Sequence, residues 1–202
     1  MRIGILGGTF NPPHIGHIHA ARAARDALKL DRVVFVPAYL PPHKTLPAGS
    51  AGAEQRLAMA SLAAETMGAE VSDIELARGG TSYTADTLEL LQKKLPGDRL
   101  WLIVGTDMFL TIQNWRAPER IFACARLAVV AREAGSREQL WEHKRELENA
   151  YGCGVDLIDA DAVEISSSAL RQRCAQADAY IPEPVRRYIE REGLYRWDEV
   201  KT

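Results

Sequence analysis

Apolar residues in this chain fall in short β-branched runs, separated by longer stretches where apolar and charged positions recur with helical spacing. Ile3–Leu6, Val33–Val36, Leu100–Val104 and Leu127–Ala131 read as strands buried on both faces, with Val71–Leu76 and Val155–Ile158 as weaker candidates. Between them the pattern predicts helices over residues 17–29, 53–67, 84–94, 106–112 and 137–150. Ser166–Arg171 reads as a further helix start. A helix near 182–192 is opened by Pro182 and Pro184 and ended by Gly193. Strands alternating with helices imply an α/β fold: a doubly wound parallel sheet with helices on both faces and a small C-terminal helical part from about residue 166. With no repeat, linker or low-complexity stretch, residues 1–202 read as a single domain.

In such a sheet ligands bind beyond the carboxyl ends of the strands. That rule singles out residues 7–17, 37–45, 77–84 and 105–116. The first of these holds Gly7-Gly8-Thr9-Phe10-Asn11-Pro12-Pro13-His14-Ile15-Gly16-His17, between a strand and an Ala-rich helix. The first amides of a helix lack intrahelical partners, so a glycine-rich turn feeding a helix is a natural phosphate seat. Two imidazoles there add donors that can follow charge building on a reacting phosphate. The segment is neither G-x-G-x-x-G nor a P-loop with its lysine, so standard dinucleotide binding and P-loop chemistry are not indicated. A zinc site built from His14, His17, His19 and His43 is the metal alternative. It lacks partner cysteines or carboxylates at ligand spacing and leaves the glycine turn unexplained, so no protein-bound metal is expected.

The second segment, Pro37-Ala38-Tyr39-Leu40-Pro41-Pro42-His43-Lys44, is stiffened by proline, which places Lys44 at low entropic cost. Ala48–Gly52 reads as a small-residue hinge. Ser166-Ser167-Ser168 with Arg171 repeats the anion logic at a second helix start, although a plain serine N-cap with a surface arginine has the same look. Asp107, after Gly105, suits a ribose hydroxyl or an N-cap. Tyr83 and Trp115 suit a heterocycle or the core. Ser82-Tyr83-Thr84 offers a helix start for a carboxylate.

Composition narrows the classes further. The chain has 202 residues, 47% hydrophobic and 26% charged, with net charge −2. A mean hydropathy of −0.19 and pI near 6.2 give no field that would recruit nucleic acid or an anionic membrane. No apolar run is long enough to span a bilayer, and Met1-Arg2 leads straight into a strand, so neither a signal peptide nor an anchor is expected. Cys124, Cys153 and Cys174 are odd in number and scattered, as reduced thiols of a cytoplasmic protein are. This composition is compatible with a homo-oligomer without fixing the oligomeric state.

Taken together, Gly7–His17, Pro41–Lys44, Ser82–Thr87, Gly105–Trp115, Ile165–Arg171 and the ending Tyr180–Tyr195 resemble the nucleotidyltransferase superfamily with the (H/T)-x-G-H signature. Within it, the chain is similar to bacterial nicotinate mononucleotide adenylyltransferases. The resemblance implies a Rossmann-like fold and transfer of an adenylyl group from ATP to nicotinate mononucleotide. The products would be nicotinate adenine dinucleotide and pyrophosphate, and Mg²⁺ would be carried by the ATP phosphates. It further implies that Gly7, Gly8, Thr9, Phe10, His14, Gly16, His17, Gly105, Asp107, Ile165, Ser166, Ser167, Ser168 and Arg171 bind ATP. Thr9, Lys44, Tyr83, Thr84 and Trp115 would bind the mononucleotide, and His14, His17, Lys44 and Arg171 would serve catalysis. Alternative substrates within the superfamily are nicotinamide mononucleotide and phosphopantetheine. A non-catalytic nucleotide sensor is the alternative outside it.

Overall fold

The computed structural model describes residues 1–42, 45–131, 137–160, 163, 165–172 and 177–195. In chain order the elements are β1 (Arg2–Gly8), α1 (Ile15–Leu28), β2 (Arg32–Pro37), α2 (Ala53–Glu65), β3 (Glu70–Val71), α3 (Ile74–Arg78), α4 (Thr84–Lys94), β4 (Arg99–Gly105) and α5 (Thr106–Phe109). A 3-10 turn (Ile112–Asn114) leads to α6 (Pro118–Cys124), β5 (Ala125–Ala131), α7 (Arg137–Tyr151) and β6 (Val155–Asp159). The chain then runs through α8 (Ser167–Arg171), α9 (Ala177–Tyr180) and α10 (Glu183–Arg191). The six strands lie in the order β3-β2-β1-β4-β5-β6, the doubly wound order with its reversal between β1 and β4. This is the Rossmann-like α/β arrangement anticipated from the alternation of runs.

Contacts group the chain into two compact units. The first comprises residues 1–7, 19–34 and 83–163. In it β1 runs parallel to β4, with Ile3 opposite Leu100 and Ile5 opposite Leu102, and β4–β5 and β5–β6 are parallel as well. Ile3, Leu100, Leu102, Leu127, Val129 and Val155 are buried, which is why these segments read as uninterrupted apolar runs. Arg120 of α6 bonds Asp86 and Glu89 of α4, fastening the two helices. The thiols of Cys124 and Cys153 are free, and burial pushes the pKa of both upward. Cys174 lies outside the described residues.

The second unit comprises residues 8–18, 35–82 and 164–202. Here α2 presents Arg56, Met59, Ala60, Ala63 and Ala64 as its buried stripe, at the i, i+3, i+4, i+7, i+8 spacing of one helical face. Leu40 pairs with Thr81, and the amide of Tyr39 donates to Ser82 Oγ at 2.9 Å, pinning the proline-rich loop.

Several expectations are corrected. The strand predicted at Val71–Leu76 is a two-residue strand, Glu70–Val71, followed by α3. The Ser72 hydroxyl accepts from the amide of Ile74, and the Asp73 carbonyl accepts from the amide of Ala77, so local bonds open a helical turn where alternation suggested a ladder. Residues 77–84 accordingly run from the end of α3 to the first residue of α4 and do not follow a strand. The helix predicted over 106–112 stops at Phe109 and continues as the 3-10 turn. The sequence reading missed α6, although Pro118 at its first position is a start signal; Ala117 before it is left-handed, at φ 52°. No helix among the described residues is long and apolar enough to cross a membrane.

Candidate active site

The chain leaves β1 through Gly8, whose added Cβ would lie 3.2 Å from the Phe10 ring, so glycine lets that ring fold back over the turn. Phe10 is left-handed at φ 49° and its ring is buried. The ring stacks on Phe35 at 5.5 Å between centroids and tilts against the imidazole of His17 at 5.0 Å. A non-glycine residue in that conformation is strained and persists only where its surroundings hold it.

His14 is the residue before α1, and its carbonyl accepts the amides of His17 (2.9 Å) and Ile18 (3.5 Å). In return the amide of His14 donates to Nδ1 of His17 at 3.1 Å. An imidazole thus fills the place that glutamate takes in a capping box. The bond also sets the ring's chemistry: with Nδ1 accepting, the ring proton sits on Nε2, which makes Nε2–H a donor. The two imidazoles lie 3.8 Å apart between centroids, and His14 is buried. A Cβ on Gly16 would lie 2.9 Å from His14 Nδ1 and 3.5 Å from Ile165 Cγ2. His14 thus closes in on Gly16, with Ile165 beside it.

The second helix start is joined to this loop. Arg171 donates to the carbonyl of Asn11 at 2.7 Å and to Ser168 Oγ at 3.1 Å, while Ser167 Oγ donates to the carbonyl of Pro12 at 2.8 Å. Ser166 accepts from the amide of Ala169, which is the plain N-cap role. One hydroxyl of the serine cluster caps the helix, while Ser167 and Arg171 tie α8 to the signature loop.

Two residues that the sequence reading passed over organise the same unit. The Asn11 side chain, 1% exposed, donates to Ser50 Oγ at 3.0 Å and accepts from the Tyr195 hydroxyl at 2.7 Å and the Ala51 amide at 3.3 Å. Burial pushes the Tyr195 phenol well above its usual range. Arg56, also 1% exposed, donates to the carbonyls of Thr9 (3.0 Å), Ala38 and Tyr39 (2.8 Å). Burial lowers its pKa, while Tyr195 and Glu75 raise it. The available signal for Arg56 was an arginine on the apolar stripe of its helix; Tyr195 stood in the ending that carries the resemblance, with no role attached to it.

In the first unit Gly105 is the N-cap of α5, so Asp107, exposed in the first turn, leaves the capping position to glycine. Tyr83 precedes α4 and supplies no side-chain cap to it, and Thr84 is the first helical residue. The guanidinium of Arg116 lies 4.2 Å over the Tyr83 ring. Trp115 is half-buried and closes the 3-10 turn through its amide to the Ile112 carbonyl. Gly7 has open space where a side chain would lie. Lys44 and His43 lie outside the described residues. Among the described residues no cluster of three or more His, Cys, Asp or Glu is gathered as a metal cage.

Comparison with known proteins points the same way. Residues 5–173 match the family model described as Cytidylyltransferase-like. A protein of Geobacter sulfurreducens is 38% identical over 98% of this chain and all of its own length. One from Citrifermentans bemidjiense is 40% identical over 96% of this chain and 98% of its own. Both are named "Probable nicotinate-nucleotide adenylyltransferase". The fold is that of Plasmodium falciparum nicotinic acid mononucleotide adenylyltransferase, solved with NaAD. The TM-score is 0.78 at 17% identity, over 97% of this chain and 98% of that one. With full-length relatives at this identity, the chain belongs to the nicotinate-nucleotide adenylyltransferases of the cytidylyltransferase-like family.

Proposed function

We propose that this chain joins nicotinate mononucleotide to ATP, forming nicotinate adenine dinucleotide and pyrophosphate. The 5′-phosphate oxygen of the mononucleotide attacks the α-phosphorus of ATP; a new P–O bond forms as the bond to the β-phosphate oxygen breaks. The nucleophile is already anionic, so no general base is needed, and positioning with charge stabilisation carries the catalysis.

The observation that carries this reading is the His14–His17 pair. The His14 amide fixes the tautomer of His17 so that Nε2–H is a donor, suited to an oxygen on which charge develops. Arg171 and the α8 start, tethered to Asn11 and Pro12, supply further donors beside the same loop. These donors address phosphate oxygens and not a cation, so Mg²⁺ is assigned to the ATP phosphates, where it neutralises charge when bound. Gly7, Gly8, Thr9, Phe10, Gly105, Asp107 and Ile165 complete the assigned ATP contacts. Thr84 with Tyr83 takes the nicotinate carboxylate, Trp115 stacks on the pyridine ring, and Lys44 binds phosphate.

The test is pyrophosphate release from ATP with nicotinate mononucleotide, nicotinamide mononucleotide or phosphopantetheine as acceptor. Release is expected with the first at much higher kcat/KM than with the others. Equal rates with the amide would overturn the acid assignment, and no release with any acceptor would overturn the transferase reading.

A further inference from the structure

Arg56 occupies a position where a helix normally offers an apolar side chain, with Met59, Ala60, Ala63 and Ala64 along the same stripe. A guanidinium that is 1% exposed keeps its charge, so it persists only where acceptors surround it. Here the acceptors are three main-chain carbonyls: Thr9 in the signature loop, and Ala38 and Tyr39 in the loop after β2. In a trans peptide the carbonyl and the following N–H point in opposite directions. The Ala38–Tyr39 peptide displays this: its carbonyl faces Arg56 and its N–H reaches Ser82 Oγ. At Thr9–Phe10 the same constraint turns the Phe10 N–H away from Arg56. Phe10, the next residue, stands at φ 49° with its ring against His17.

We propose that Arg56 is a positioning residue for adenylyl transfer: by gripping the Thr9 carbonyl it sets Phe10, and through the Phe10 ring it sets the imidazole of His17. The relay has three links, Arg56 to Thr9, Thr9 to Phe10 along the chain, and Phe10 to His17, all within one unit of the fold. Lysine at 56 keeps the charge but cannot fork to three carbonyls. The proposal rests on the role given above to His17.

The experiment pairs turnover with ¹⁵N-histidine NMR on the full chain, comparing wild type with R56K. The wild-type His17 resonances should show a single Nε2–H tautomer. R56K should lower kcat about 100-fold per folded molecule, the order of loss expected from a small misplacement of a reacting group. It should also mix the His17 tautomers. Wild-type kcat, or a kcat loss with the His17 signature unchanged, would overturn the relay and leave Arg56 a brace only. If R56K does not fold, F10L breaks the same relay at its far end and must show both changes; an unaltered His17 signature in F10L overturns the proposal. Full turnover in H17A would instead defeat the reading on which it rests, so the two failures are separable.

Discussion

Gly16 and His14 share one space: the imidazole of His14 lies where a side chain on Gly16 would project, and a Cβ there would stand 2.9 Å from Nδ1 and 3.0 Å from Cε1. Because the ring is buried, it cannot yield by swinging into solvent. Glycine at this position is a condition for the histidine pair and not only for a flexible turn.

The substitution G16A therefore pulls in two directions. Gly16 lies in the first turn of α1, where alanine is favoured over glycine by up to about 1 kcal/mol. The methyl nevertheless displaces His14. We expect thermal stability to change little while kcat falls by about 100-fold. A variant with wild-type turnover would show that the placement of His14 is immaterial.

Replacing His17 by alanine removes the Nε2–H donor and the cap on the His14 amide. The loss of one such donor costs on the order of 100- to 1,000-fold in rate. Circular dichroism should be unchanged, since the rest of α1 is held by its own packing through Ala21 and Ala24. Pyrophosphate release by H17A near the wild-type rate would remove this residue from the chemistry.

Trp115 is half-buried, and the adjacent Arg116 is stacked on Tyr83. If its indole meets the pyridine ring, W115A raises KM for the mononucleotide by up to about tenfold, the upper end of what one aromatic contact supplies, and leaves KM for ATP nearly constant. Equal rises for both substrates in steady-state kinetics would assign Trp115 to packing.

The α4–α6 clamp makes stability depend on acid. The hydrogen bond from Arg120 holds the Glu89 carboxyl below its ordinary pKa of 4.5. A carboxyl depressed in the folded state adds stability above its unfolded pKa and loses it as pH falls through the folded value. The difference in urea midpoint between wild type and R120M should be constant from neutral pH down to about 4.5 and shrink below that. A difference that persists undiminished in acid would exclude Glu89 as its source.

Legibility in the sequence followed how local each cause was. The runs Ile3–Leu6 and Leu100–Val104 became β1 and β4 because burial on both faces leaves no polar position to disguise them. Ser72 and Asp73 misled because their side-chain and main-chain bonds start α3 over a distance of two to four residues, which an alternating pattern does not reveal. The histidine pair was visible as letters, but the nitrogen that carries the proton follows from one hydrogen bond between His14 and His17. Arg56 and Asn11 were illegible as organisers because their partners are spread over distant segments.

The bond from the Tyr195 hydroxyl to Asn11 spans 184 positions of chain. During synthesis, the stretch that carries both imidazoles leaves the ribosome early and then waits for its last fastening. The loop around Asn11 therefore gains this bond only once residue 195 has been made, so its closure is a long-range folding event and not a local one.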